Sequence, residues 1–159
     1  MKKSYDYVLF DWDGNIAKTL DIWLEALHVV LARHGVKRTD HEYALSFGAW
    51  NRFAHEDWKI DLDAVMPELD AYARARLPDV ELYPAALEVL KALHDRGKNI
   101  ALISSSSHEN ISIPLLKHDL MQYFDTIISA DEVTEHKPPP EPLEKALEAL
   151  GGRDPSRAI

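Results

Sequence analysis

Two patterns of apolar and polar positions alternate along this 159-residue chain. Tyr7-Val8-Leu9-Phe10 is an apolar run with no polar interruption, the mark of a strand covered on both faces in a parallel sheet. Two acids follow at once in Asp11-Trp12-Asp13-Gly14-Asn15. From Lys18 to Leu77 the spacing turns helical and no segment reads as a strong strand. Trp23, Ala26, Leu27, Val30 and Leu31 share a face, with Gly35 as a stop. Asp40 is placed to cap a second helix, and Asp61 to Arg76 predicts a third with Val65, Leu69 and Ala73 aligned.

After this excursion the chain returns to α/β alternation. Pro84 to Arg96 predicts a helix with proline in its first turn and Gly97 beyond its end. Asn99 to Ile103 is a second buried strand, running into Ser104-Ser105-Ser106-Ser107. Glu109 to Leu120 reads as a helix in spite of Pro114, and Thr126 to Ser129 as a third strand. The segment Glu135-His136-Lys137-Pro138-Pro139-Pro140-Glu141-Pro142 then leads into a helix ending at Leu150, before Gly151-Gly152. The expected fold is α/β: a parallel sheet core from 1–16 and 80–159, with an all-helical insertion of 17–79 after the first strand.

Composition narrows the function classes. A hydrophobic share of 46% and a charged share of 28% are those of a globular chain able to bury a real core. There is no cysteine, so disulfides, thiolate metal sites and cysteine nucleophiles are excluded. A net charge of −9 speaks against nucleic acid as a partner, because no cationic excess exists to displace counterions. No apolar stretch reaches the length of a membrane span or a signal-peptide core, and the expected location is cytoplasmic. The histidines show no ligand spacing.

In an open parallel sheet, ligands bind beyond the carboxyl ends of the strands. Those ends present Asp11 and Asp13, then Ser104, then Lys137 after a loop. Alternation puts Asp11 and Asp13 on one side and turns Trp12 away, while Gly14 lets the chain reverse behind them. Two acids, a hydroxyl and a cation suit an anionic substrate such as a phosphate ester, provided a divalent cation offsets the acids. An all-oxygen donor set suits Mg²⁺.

These residues resemble the motifs of the haloacid dehalogenase-like hydrolases. Phe10-Asp11-Trp12-Asp13-Gly14-Asn15 is similar to the family's first motif, with Asn15 where threonine is usual. Ile100-Ala101-Leu102-Ile103-Ser104 is similar to the second, and Lys137-Pro138 to the third. The helical insertion resembles the mobile cap of the phosphoglycolate phosphatase and β-phosphoglucomutase branch, which implies a Rossmann-like core. The resemblance implies that Asp11 is the nucleophile, forming an aspartyl-phosphate, and that Asp13 is the acid and then the base. It implies that Ser104 binds a phosphoryl oxygen, with Ser105 as a further donor, and that Lys137 compensates charge. Mg²⁺ is implied on the Asp11 carboxylate and the Asp13 main-chain carbonyl, and the amides from Trp12 to Gly14 are candidates to cradle phosphate.

Arg52 lies in Phe47-Gly48-Ala49-Trp50-Asn51-Arg52, which resembles the cap segment that reaches substrate, whereas Trp50 and Trp58 read as cap core. His136 reads as a bystander, and Asp131 and Glu132 as a solvated loop. The family's fourth motif, an acidic loop after a fourth strand, has no counterpart before Ile159, so the chain is expected to continue in a longer polypeptide. The leading expectation is a Mg²⁺-dependent phosphatase of a small phosphorylated metabolite, acting on neither nucleic acid nor membrane. A phosphomutase shares every motif. A dehalogenase has no use for Asp13 as an acid, and a domain that binds phosphate or a partner without turnover is the reading if the chain ends at Ile159.

Overall fold

The structure, a computed structural model, describes residues 4–159. It divides into two compact units, one formed by the residues up to Lys18 together with Glu81–Ile159, the other by Thr19–Val80. The first is built on a parallel sheet of β1 (Tyr7–Asp11), β2 (Asn99–Ile103) and β3 (Thr126–Ile128), in the order β1-β2-β3. The α/β reading of the sequence holds. In the centre, β2 buries Ile100, Ala101, Leu102 and Ile103, because it has a strand on either side. Residues 7–10 of β1 are only half-buried, short of the full coverage that their uninterrupted apolar run predicts.

The edge of β1 away from β2 is also bonded. Ala158 bridges Tyr7 in parallel, the Leu9 amide donates to Ile159 (2.7 Å) and the Ile159 amide to Tyr7 (3.1 Å). Helices α5 (Ala86–His94), α6 (His108–Lys117) and α7 (Glu141–Ala149) belong to this unit. Ala146 of α7 packs with Ala101, Ile103 and Ile128, which seats the middle of that helix against β2 and β3. Pro84 lies outside α5 rather than in its first turn: Ala85, at φ 66°, makes a left-handed step and the helix begins only at Ala86. α6 continues through the buried Pro114, which removes one ladder hydrogen bond without ending the helix. β3 stops one residue before the predicted end, because Ser129 turns to cap the short helix Ala130–Glu132.

The second unit holds α1 (Leu20–Arg33), α2 (Asp40–Ala44), α3 (Trp50–Phe53), a π-helical turn at Ala54–Trp58 and α4 (Leu62–Arg74). Its core joins Ala26, Leu27, Val30 and Leu31 of α1 to Val65 and Leu69 of α4, with Tyr43 and Trp58 enclosed. Trp58 meets Tyr43 edge-on at 5.9 Å, and the partly buried Trp50 meets Trp23 edge-on at 5.7 Å. Thr39, not Asp40, caps α2: its hydroxyl accepts from the Glu42 amide while Glu42 reaches back to the Thr39 amide. A hydroxyl three residues ahead of a glutamate makes this reciprocal box, and Asp40 becomes the first helical residue.

Where the chain leaves the sheet unit and returns to it, Lys18 and Glu81 pair twice. The Lys18 amide donates to the Glu81 carbonyl (2.9 Å), and its ammonium lies 2.7 Å from the Glu81 carboxylate. That contact holds the Glu81 carboxyl below its ordinary range. Among the described residues, no helix is long and apolar enough to cross a membrane.

Leu102 in β2 is fully buried. Leu102→Ala is expected to cost about 2–5 kcal/mol of stability, read as a lower urea midpoint with an unchanged slope.

Candidate functional site

The parallel register sets Asp11 opposite Ile103, so the chain leaves β1 and β2 at the same level. Beyond that level, Asp11-Trp12-Asp13 and Ser104-Ser105-Ser106 run side by side. Trp12 is buried and anchors the first of these turns, and its carbonyl accepts from the amides of Asn15, Ile16 and Ala17. Gly14, at φ 74°, supplies the left-handed step, and its amide donates to Ala17 (3.0 Å).

Asp11 is the point where three elements meet. Its Oδ1 accepts from the Trp12 amide (2.9 Å) and from the Lys137 ammonium (2.6 Å), 126 residues away in sequence. With side chains 31% and 47% exposed, a pair of this kind contributes only about 0–1 kcal/mol to stability. Stability therefore does not account for it; what it fixes is the position of a cation against a carboxylate.

Asp13 is held from the other strand. Its Oδ2 accepts from Ser104 Oγ (2.9 Å) and from Ser106 Oγ (3.0 Å), and the Ser106 amide donates back to Ser104 Oγ (3.0 Å). Ser104 is itself buried, and its amide pairs with the Ile128 carbonyl of β3 (2.9 Å). The sequence reading passed over Ser106. In a run of four serines nothing local separates it from its neighbours; only the turn after β2 aims its hydroxyl at Asp13. Ser105 between them is exposed.

The structure thus brings Asp11 to Lys137, and Asp13 to Ser104 and Ser106, all at one end of one sheet. The amides of Trp12 and Gly14 are already engaged, by the Asp11 side chain and by Ala17. Arg52 belongs to the helical unit, where its guanidinium lies 4.9 Å from the centre of the Phe53 ring. Asp131 and Glu132 are structural. Asp131 accepts from the His108 amide (2.6 Å), capping the start of α6, and Glu132 accepts from the Ser129 amide (2.6 Å). His136 is exposed.

A hard divalent cation would find only oxygen donors here. Among the described residues no three acids or histidines gather into a metal cluster. A pair of aspartates nonetheless fits Mg²⁺, which keeps several waters and is commonly held by one or two carboxylates plus substrate phosphate oxygens.

The loop that delivers Lys137 is fastened at Glu141, the first residue of α7. Its carboxylate accepts from the Thr134 amide (3.1 Å), the Thr134 hydroxyl (2.9 Å) and the Glu135 amide (2.7 Å), and pairs with Lys145 (2.9 Å). The Lys145 contact, then the two amides, pull the Glu141 carboxyl down to about 2 from its ordinary 4.5.

The family model described as haloacid dehalogenase-like hydrolase matches residues 8–159. A protein named pyrophosphatase PpaX from Bacillus mycoides is 28% identical over 151 residues, which are 92% of this chain and 69% of that protein. A crystal structure from Bacteroides fragilis, described as a haloacid dehalogenase-like hydrolase, superposes with a TM-score of 0.83 at 28% identity. That match covers 98% of this chain and 77% of the other. The structure of CbbY from Rhodobacter sphaeroides in complex with phosphate has the same fold, with a TM-score of 0.82 at 22% identity over 98% of this chain and 76% of its own.

The depressed Glu141 pKa has a defined sign. Because the folded value lies below the unfolded one, its stabilisation is present above pH 4.5 and is lost as the pH falls through about 2. Glu141→Gln is therefore expected to lower the melting temperature at pH 6 and to make no difference near pH 2. Thermal melts of both proteins across that range check it.

Proposed function

The chain belongs to the haloacid dehalogenase-like hydrolases, and from there we propose that it hydrolyses small phosphorylated metabolites through an aspartyl-phosphate on Asp11, with Mg²⁺ as its cofactor. The observation that carries this reading is the Lys137 ammonium 2.6 Å from Asp11 Oδ1, at the strand end where Ser104 and Ser106 hold Asp13. A carboxylate that must meet a dianionic phosphate needs a fixed positive charge beside it.

In this reading the two donors on Oδ1 fix the rotation of the Asp11 carboxylate, and Oδ2 attacks phosphorus in line with the leaving oxygen. As the ester P–O bond breaks, the Asp13 carboxyl gives its proton to the departing alkoxide. A water molecule then attacks the phosphorus of the aspartyl-phosphate, and the Asp13 carboxylate takes its proton. Phosphate leaves and Asp11 returns as a carboxylate. The Ser104 and Ser106 hydroxyls keep Asp13 turned to one side through both transfers. Lys137 offsets charge on the nucleophile and on the incoming phosphoryl oxygens. Mg²⁺, held by the Asp11 carboxylate and the Asp13 main-chain carbonyl, would supply Lewis-acid neutralisation of the phosphoryl group. The helical insertion is assigned the cap's role of selecting the leaving group, and Arg52 is its candidate for substrate contact.

Phosphate monoesters and pyrophosphate both belong on the substrate panel, the latter because relatives carry the name pyrophosphatase. With Mg²⁺ present, Asp11→Asn is expected to lower phosphate release by roughly 10³-fold or more, and chelation of the metal to do the same. Phosphate release measured by a colorimetric assay tests this. Undiminished turnover by the Asp11→Asn protein overturns the reading. An aspartyl-phosphate that persists and passes to a sugar hydroxyl marks a phosphomutase instead.

A further inference from the structure

We propose that Glu141 is a positioning residue that holds the Lys137 ammonium against Asp11. Its catalytic consequence rests on the phosphatase reading above; its structural content does not. The segment from Thr134 to Glu141 contains Pro138, Pro139 and Pro140, none of which has an amide hydrogen to donate. A loop of this kind cannot be fixed by a backbone ladder of its own, so its two ends must be tied by side chains.

Glu141 ties them. Both carboxylate oxygens are used, each by two donors. Oε1 takes the Thr134 amide (3.1 Å) and the Lys145 ammonium (2.9 Å), while Oε2 takes the Thr134 hydroxyl (2.9 Å) and the Glu135 amide (2.7 Å). The first residue of α7 thereby grips the residues where the loop begins, and Lys137 lies inside the closed segment. Lys145, one turn further along α7, also donates to the Glu132 carbonyl (2.6 Å), and Glu132 in turn caps Ser129 at the end of β3. Hydrogen bonds therefore link the residue after β3 to the start of the loop, and two residues beyond Glu135 along the chain Lys137 meets Asp11.

Oxygen count makes the grip specific to a carboxylate. Glutamine at this position keeps a single accepting oxygen and turns an NH₂ group toward two of the four donors. The Lys145 end of this grip is partly open to solvent, so Glu141→Gln is expected to lower the melting temperature modestly while leaving the protein folded. Its effect should be felt instead at Lys137, where a misplacement of about 1 Å costs up to roughly 10²-fold in rate.

The test is a double-mutant cycle with a spectroscopic readout. Glu141→Gln is expected to lower kcat/KM for phosphate release about tenfold in the otherwise native chain, and less than about twofold in a Lys137→Ala background. Equal losses in both backgrounds would show that Glu141 acts independently of Lys137 and would overturn the proposal. The ammonium resonance of Lys137 in ¹⁵N-labelled protein, identified by its absence in Lys137→Ala, gives a second reading that needs no turnover. Glu141→Gln should move that signal toward its position in Asp11→Asn; an unmoved signal also overturns the proposal. If the native protein hydrolyses no phosphate ester, the phosphatase reading fails while the resonance still decides this one. Should Glu141→Gln not fold, Thr134→Val removes one of the same donors and is expected to shift the signal in the same direction.

Discussion

The parallel register between β1 and β2 is the constraint on which the rest of the site depends. Tyr7 opposite Asn99 and Asp11 opposite Ile103 bring both strands to an end at one level. A slip of one residue would turn alternate side chains to the opposite face and break the meeting of Asp13 with Ser104. The register is secured at the other end too, where the Asp6 carbonyl accepts from the Asn99 amide (3.1 Å). It is secured across the sheet by Asp125, whose carboxylate accepts the Ile100 amide (2.7 Å). Burial of Ile100 through Ile103 then makes any alternative pairing costly, because a shifted strand would leave polar ends inside and apolar ones outside.

Polar chemistry is arranged on this frame with little intrinsic stability of its own. Asp11, Asp13 and Lys137 are tied by hydrogen bonds of 2.6–3.0 Å, yet they are partly open to solvent, where such contacts add little to folding. Folding draws instead on buried apolar side chains, among them a cluster of α7 with the sheet and another inside the helical unit. Packing therefore does not dictate how Asp11 and Asp13 are turned; their hydrogen bonds do. The segment bearing Lys137 needs its own fastening, because it is rich in proline and most of its residues are exposed.

The helical unit shows how capping chemistry refines what periodicity starts. Val65, Leu69 and Ala73 do line up on α4, and Leu27, Val30 and Leu31 on α1, as the 3.6-residue spacing requires. The ends of the helices obey side-chain oxygens instead. Thr39 with Glu42 and Asp61 with the Asp63 amide fix two starts, while a left-handed step at Ala85 delays a third. Apolar spacing thus sets where a helix runs, and the polar groups around it set where it begins.

The amino-acid order alone was enough for the α/β class, the three strands to within a residue or so and the helical spacing of α1 and α4, and it put forward Asp11, Asp13, Ser104 and Lys137 as candidates. Each of these is carried by local signals: uninterrupted apolar runs, helical spacing, and polar residues placed just past a strand. Those signals could not reach the contacts made across long stretches of chain. That Lys137 meets Asp11, that Ser106 and not its neighbours joins Ser104 at Asp13, and that Glu141 closes the Lys137 loop are facts of tertiary structure. Identical serines in a row differ only in where the turn aims them, and a glutamate at a helix start looks the same whether or not a loop folds back to it. Direction in space, which a linear pattern does not encode, decided those pairings.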